Sequence, residues 1–187
     1  MERFAVAPVV IPLPGDVPAA VYDELPRRNF IDGLVWAKLR QLGLTPSGPA
    51  TDATFHRRAY LDVIGRLPTP DETRAFLADP DPAKRDKLID RLLQRSEYAD
   101  FWANKWTDLL RPNPYHVGMK ATYNLDQWLR RAFRENMPYD RFVRELIGAR
   151  GSTFTNGAVV MSRDRRDPAE LTTLVGQIFL GVRLDCA

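Results

Sequence analysis

The stretch DPAELTTLVGQIFLGV, residues 167–182, contains the strongest helix signal in the sequence. Asp167, Pro168 and Glu170 form a helix start, and leucine, valine, isoleucine and phenylalanine then recur at steps of three and four residues. That spacing places the apolar side chains on one face of a helix. The stretch therefore predicts an amphipathic helix that packs its apolar face against a core.

The segments before this stretch repeat the same pattern of start signal, apolar stripe and stop signal. The clearest start is Thr69-Pro70-Asp71-Glu72, a capping box with proline at the first helical position. No segment alternates between apolar and polar residues over strand length. The predicted fold class is therefore all-α, an irregular bundle of about eight short helices. The other predicted helices begin at Asn29, at Thr51 or Asp52, at Asp81, at Ser96, shortly before Leu125 and at Pro138.

The sequence also predicts which side chains these helices bury and where the long loops lie. Loops are expected from Arg111 to about Thr122 and, polar and glycine-containing, over residues 151–166. The tryptophans at 102, 106 and 128 continue helical apolar faces and are expected in the core rather than at a carbohydrate site. The first helix is expected to bury Phe30, Ile31, Leu34, Val35, Leu39 and Leu42.

Domain organisation follows from a change in composition near residue 28. Residues 1–28 contain five prolines and no helical period, which predicts an extended arm or a linker from a preceding domain. Residues 29–187 then form the helical domain. No apolar run approaches the roughly 20 residues needed to span a bilayer. The arginines between 130 and 150 are interspersed with acids, which favours a salt-bridged surface over a nucleic-acid site.

The only cysteine, Cys186, is the next-to-last residue and directly follows the helix over 167–182. A single cysteine cannot form an internal disulfide bond. A chain that stops one residue after a thiol predicts a domain cut at its C-terminal end. We expect a second cysteine or a histidine just beyond Ala187.

The order of these blocks resembles a known family, domain of unknown function 1549, which is found beside cytochrome c domains in planctomycete proteins. The resemblance covers residues 29–187. It rests on Asn29–Asp32, Lys38–Leu39, Phe55–Asp62, Gly65–Pro70, Glu97–Ala99, Trp102, Trp106, Asp108–Arg111, Pro138–Asp140, Phe142–Ile147, Phe179–Gly181 and Cys186–Ala187.

The resemblance implies a role for the C-terminal cysteine. In that family the final helix runs into C-x-x-C-H, the c-type haem attachment signature, and Cys186 falls on its first cysteine. Cys186 is thus the implied cofactor-binding residue, with haem c in the longer parent and no cofactor expected for residues 1–187 alone. The resemblance also implies an exported, periplasmic or extracellular parent, neighbouring domains of the same chain and a redox partner.

Other residues allow further hypotheses about the site. His116, in the proline-bounded loop that begins at Arg111, is a candidate distal iron ligand, whereas His56 is expected at the surface or in packing. Gly176 and Gly181 predict close approach of another helix or, alternatively, of a planar cofactor. No catalytic residue is assigned and no metal-ligand cluster is predicted.

The leading functional hypothesis is an accessory, redox-linked module that positions a haem attachment motif at its C-terminus. One alternative is a hydrolase or polysaccharide-processing domain that uses aspartates in an inter-helical groove. Two carboxylates about 5 to 9 Å apart could then share acid–base work. A second alternative is a purely structural interaction domain. The candidate aspartates are Asp62, Asp108, Asp126 and Asp140.

Overall fold

The computed structural model describes residues 9, 11–12 and 17–184, and every regular element among them is helical. Helices contain 67% of these residues, and no strand occurs among them, which confirms the predicted all-α class. Eight of the described α-helices have nine or more residues, in agreement with the expected number. Three one-turn α-helices and one 3₁₀ turn complete the set.

The helices follow one another with short connections. No described helix is both long enough and apolar enough to cross a membrane. In chain order they are α1 (Ala20–Asp23), α2 (Phe30–Leu42), α3 (Asp52–Ile64), α4 (Pro70–Ala78), α5 (Lys84–Leu93), α6 (Ser96–Leu110), α7 (Pro114–Val117), α8 (Met119–Arg134), α9 (Tyr139–Gly148), the 3₁₀ turn (Gly157–Val159), α10 (Val160–Asp164) and α11 (Pro168–Leu180).

The described chain separates into two compact units, one ending at Ala50 and the other beginning at Thr51. The predicted boundary after residue 28 stays a prediction. The first unit contains α1, a helical turn inside the segment predicted to be extended. Tyr22 of α1 is buried, and its hydroxyl donates a hydrogen bond to the Leu44 carbonyl at 3.1 Å.

The helix α2 begins where the sequence predicts. Asn29 and Asp32 form a reciprocal capping box, and Gly43 ends the helix in the left-handed conformation at φ 68°. The predicted buried stripe is wrong, however. Within the first unit only the four-residue α1 can cover that face, and it leaves most of the face uncovered. Phe30, Ile31, Leu34 and Val35 are exposed, whereas Leu39 and Leu42 are half-buried.

The larger core of the second unit lies among α6, α8, α9 and α10. Leu125, Leu129 and Leu146 are completely buried there, and burial of each such side chain stabilises the fold by roughly 1.5–3 kcal/mol. Trp128 is buried in the same core, and Trp106 packs against it half-buried, as expected for core tryptophans. Its buried members are Ala103, Leu110, Ala121, Leu125, Trp128, Leu129, Ala132, Phe142, Leu146, Ala158, Val160 and Met161.

Both predicted loops contain helices. The loop predicted over 151–166 holds the 3₁₀ turn and α10, and the three consecutive residues from Val159 to Met161 are buried. The loop predicted from Arg111 to Thr122 holds α7 and the first turn of α8. Helices of three to five residues contain too few apolar positions to show a period of 3.6. Pattern analysis therefore could not separate them from loops.

A smaller core lies among α3, α4 and α5. It contains Tyr60 and Phe76, each only 4% exposed. His56 belongs to it as well, which settles its expected position in favour of packing. The ring of His56 is 1% exposed and stacks on Phe76 with centroids 4.6 Å apart. The remaining buried members are Ala59, Ile64, Leu88 and Leu92.

The last helix, α11, begins as predicted but ends two residues earlier than the predicted stretch. Asp167 accepts a hydrogen bond from the backbone of Ala169, and Gly181 ends the helix in the left-handed conformation at φ 66°. Its apolar face rests against the larger core, but only Gly176 is buried. Val182, predicted to continue the apolar stripe, lies beyond the helix and is exposed. The half-buried side chains on the core are Leu171, Leu174, Val175, Ile178 and Phe179.

Candidate functional site

The cofactor-binding candidate Cys186 lies outside the described residues, but the chain just before it is well defined. After Gly181 the backbone turns back along α11, and the amide of Val182 donates to the Gly176 carbonyl at 3.1 Å. Leu184 then covers Gly176: a methyl group there would lie 2.8 Å from Cδ1 of Leu184. The chain's own tail therefore makes a close approach at Gly176.

The returning tail forms one side of an open groove of about 530 Å³ beside α11. Leu174 and Leu184 give the groove apolar surface, and Arg165 brings positive charge. Arg165 is the first residue of the short link between α10 and α11. The groove is therefore lined both by the tail and by this link. Its other lining residues are Ala169, Glu170, Thr173 and Gln177.

Arg165 connects this groove to a buried carboxylate. The Arg165 guanidinium forms an ion pair with Oδ2 of Asp164, whose side chain is only 3% exposed. The other carboxylate oxygen, Oδ1, is buried and has no hydrogen-bond partner among the described residues. An unpaired buried acceptor typically costs about 1–3 kcal/mol. Oδ1 of Asp164 is therefore an acceptor that lacks a hydrogen-bond donor among the described residues.

His116 is the group positioned to supply that donor. Its Nδ1 lies 3.3 Å from Oδ1 of Asp164, and its side chain is 61% exposed. The short helix α7 places it there because Asn113 caps the turn by accepting from the Tyr115 amide, and Pro114 occupies the first helical position. The structure thus brings together a histidine that the sequence identifies and an aspartate that it does not.

The pair has a recognisable chemical use. A histidine that binds a metal usually directs its second ring nitrogen to a carboxylate, which fixes the orientation of the ring. The same arrangement serves general acid–base catalysis. Sequence inspection misses Asp164 because it lies in the run Ser-Arg-Asp-Arg-Arg, which resembles a solvated loop. Its burial follows only from α10.

The four aspartates of the hydrolase hypothesis lie on four different helices. Asp62, Asp108 and Asp140 are exposed, and Asp140 lies 3.6 Å from the Arg144 guanidinium. Asp126 accepts from Nε of Arg130 at 2.8 Å. None of the four lines the groove beside α11. Within the described ranges, no three histidine, cysteine, aspartate or glutamate side chains converge as metal ligands.

Part of the arginine-rich surface predicted between residues 130 and 150 is salt-bridged. Arg130 contacts Asp126 on its own helix and Asp100 on α6. Nε of Arg141 lies 2.6 Å from a carboxylate oxygen of Glu145. These guanidinium groups are engaged within the protein surface.

Comparison with known proteins identifies one family. The family model PSCyt2, described as a protein of unknown function (DUF1549), matches residues 30–187. No curated protein and no solved structure matches the chain. The matched region contains α2 and all the helices of the second unit, and it begins one residue after the predicted start at Asn29. With more than half of its length matched, the chain belongs to the DUF1549 family.

Proposed function

We propose that this DUF1549 domain is an accessory, redox-linked module of a larger exported protein. Its role is to hold Cys186 as the first cysteine of a haem c attachment motif. The observation that carries this proposal is the fixed return of the tail. The Val182–Gly176 hydrogen bond and the Leu184–Gly176 contact hold the backbone against α11 up to two residues before the thiol.

The described residues near the tail fit the chemistry of a haem. The groove beside α11 combines apolar surface from Leu174 and Leu184 with the guanidinium of Arg165, which suits a flat apolar group that carries carboxylates. His116 has an exposed ring and a buried carboxylate beside Nδ1, which leaves Nε2 as the outward ligand atom. The missing donor at Asp164 Oδ1 is supplied when His116 is held in that orientation.

Each residue then has a separate task. Cys186 anchors the group covalently, Arg165 binds a carboxylate, and Asp164 orients His116 as an iron ligand. Haem supplies reversible one-electron transfer at its iron. A rigid anchor keeps the distance and orientation toward a redox partner constant. In this proposal the helical cores serve positioning alone.

The test uses the natural longer chain, including the residues that follow Ala187, expressed together with a cytochrome c maturation system. We expect a product that keeps its Soret absorbance after denaturation and passage through a gel. Cys186→Ala should reduce that covalent absorbance severalfold. A colourless wild-type product, or a natural chain without a cysteine and a histidine directly after Ala187, would overturn the proposal.

The two histidines provide a test variant and a matched control for the proposed iron ligand. His116→Ala should keep the covalent haem but shift the Soret band and alter the low-spin ferric spectrum, because one iron ligand is lost. His56→Phe, which replaces the buried ring in the smaller core, should leave the spectrum unchanged. Identical spectra in wild type and His116→Ala would show that His116 is not a ligand, while the anchoring role of Cys186 could still hold.

A further inference from the structure

A second cavity, remote in sequence from the C-terminal tail, lies among α3, α4 and α5. Its volume is about 570 Å³, within the range of roughly 300–1,000 Å³ that is typical of small-molecule sites. It belongs to the smaller core of the second unit. It shares no residue with the groove beside α11. The residues around it are His56, Tyr60, Glu72, Ala75, Phe76, Asp79, Leu88, Arg91, Leu92 and Arg95.

The floor of this cavity is apolar and rigid. Phe76, Leu88 and Leu92 are each no more than 4% exposed. His56 stacks on Phe76 and lies 4.8 Å from the Tyr60 ring, so the imidazole is fixed between two aromatic neighbours. A flat or aliphatic ligand body could therefore contact a preformed surface.

The imidazole of His56 is the first polar group in the cavity without a partner. It is 1% exposed, yet neither ring nitrogen forms a hydrogen bond with any residue that the structure describes. Burial lowers the pKa of His56 below its ordinary value of 6.5, so the ring is neutral near pH 7. A neutral imidazole offers one donor and one acceptor. Both are available to a molecule inside the cavity.

The charged groups around the cavity differ in whether they have hydrogen-bond partners within the protein. Glu72 accepts from Arg95 at 2.8 Å, and Asp79 accepts from the backbone of the residue two positions later at 2.9 Å. Arg91 is exposed and forms no ion pair or hydrogen bond within the described part of the chain. The Arg91 guanidinium is therefore a positive charge at the cavity that no described carboxylate engages. Glu72 and Asp79 oppose a second negative charge on a ligand.

We propose that this cavity binds a small organic monocarboxylate. Its carboxylate pairs with the Arg91 guanidinium, its apolar body lies on Phe76 and Leu88, and its polar edge hydrogen-bonds to His56. A multiply charged phosphate is disfavoured because the two ionised carboxylates at the rim repel it. An uncharged molecule of the same shape leaves Arg91 without a counter-charge. The site is thus specific for one negative charge on a compact apolar body.

Benzoate is a suitable probe, with benzyl alcohol and inorganic phosphate as comparison compounds. We expect benzoate, titrated to tens of millimolar into the protein of residues 1–187, to shift backbone amide NMR signals saturably. The shifted signals should cluster on α3, α4 and α5. Benzyl alcohol and phosphate should bind at least about tenfold more weakly, which corresponds to the loss of one charge-assisted hydrogen bond.

Three variants decide the assignment. Arg91→Gln should raise the Kd of benzoate at least about tenfold, because the counter-charge is removed. His56→Phe should raise the Kd of 4-hydroxybenzoate, whose hydroxyl supplies the polar edge, at least about tenfold while the dispersed NMR spectrum is kept. Arg57→Gln, an exposed residue on α3 outside the cavity, should leave the Kd unchanged. Absence of saturable shifts, equal binding of benzyl alcohol, or equal effects of Arg91→Gln and Arg57→Gln would each overturn the proposal.

Discussion

Gly157 shows how a single residue can fix a segment that has no sequence signature. Asn124 of α8 donates its side-chain amide to the carbonyls of Thr153 and Phe154, which draws this segment onto the helix. Gly157 then lies so close that a β-carbon would be 2.2 Å from the Asn124 carbonyl oxygen. Backbone cannot move aside as a flexible side chain can. Glycine is therefore required by close packing at this position.

Gly157→Ala should lower the free energy of unfolding by about 1–3 kcal/mol or more, because the added methyl overlaps the α8 backbone. Gly148→Ala is the matched control. Nothing lies within 4 Å of a β-carbon at residue 148, the last residue of α9. The control should stay within about 0.5 kcal/mol of the wild type. Urea unfolding followed by circular dichroism measures both, and equal losses would contradict the packing argument.

The residues of the candidate site differ in how far the sequence can reveal them. His116 can be picked out because histidines are rare, with two in the chain. Asp164 cannot, because its sequence neighbours are charged and its burial depends on α10 packing. The closing contact at Gly176 involves Leu184, eight residues later, after a reversal of chain direction. Local pattern carries no information on such a reversal.

Helix starts show which features of a helix are determined by a few neighbouring residues. Thr69 and Glu72 exchange hydrogen bonds with each other's backbone amides, as the sequence predicts, because a capping box closes within four residues. Ser96 is predicted to cap α6 but occupies its first turn, and Arg95 takes the cap position without a side-chain bond. The Arg95 guanidinium instead binds Glu72 and Glu97.

Thr69→Ala should therefore destabilise the protein by about 1 kcal/mol, since the hydrogen bond from the Glu72 amide is lost. Ser96→Ala should change stability by less than about 0.5 kcal/mol, because its hydroxyl caps no backbone amide. Parallel urea unfolding curves of the two variants test this difference. A loss at Ser96 as large as that at Thr69 would mean that Ser96 is the functional cap.

The positions of the long helices could be predicted from the sequence. The burial of their apolar faces could be predicted only in part. The stripe of α8 is buried at Leu125 and Leu129 because α6 packs along it. The equally regular stripe of α2 is exposed at Phe30 and Leu34. Periodicity shows which face of a helix is apolar, but what covers that face depends on other parts of the molecule. For the same reason, the burial of the short helix α10 could not be predicted from its own sequence.

At the scale of the whole second unit, an ion-pair network centred on Arg95 links helices that are distant in sequence. Arg95 contacts Glu72 of α4 at 2.8 Å and Glu97 of α6 at 2.6 Å. Glu97 also contacts Arg66, in the connection between α3 and α4, at 3.0 Å. The hydrogen bond from Trp102 Nε1 to the Val63 carbonyl, at 3.2 Å, lies on the same side of α3 and α6. Acid should loosen this network first.

The network makes stability fall in a defined acidic range. Burial raises the pKa of Glu72, but bonds from the Thr69 backbone and from Arg95 outweigh it and lower the pKa from 4.5 to about 2. The hydrogen bond from Arg95 lowers the pKa of Glu97 to about 2 as well. Because the unfolded chain takes up these protons near pH 4.5, the stabilisation is complete above that pH and is lost as the pH falls toward 2.

Glu72→Gln should accordingly be less stable than the wild type at pH 7 and should lose less further stability between pH 4.5 and pH 2. Urea unfolding at half-unit pH steps gives the two slopes. Glu135→Gln is the control, because Glu135 is exposed and forms no ion pair with any described residue. Its slope should match that of the wild type. If Glu72→Gln kept the wild-type slope, the acid sensitivity would have to arise outside the Arg95 network.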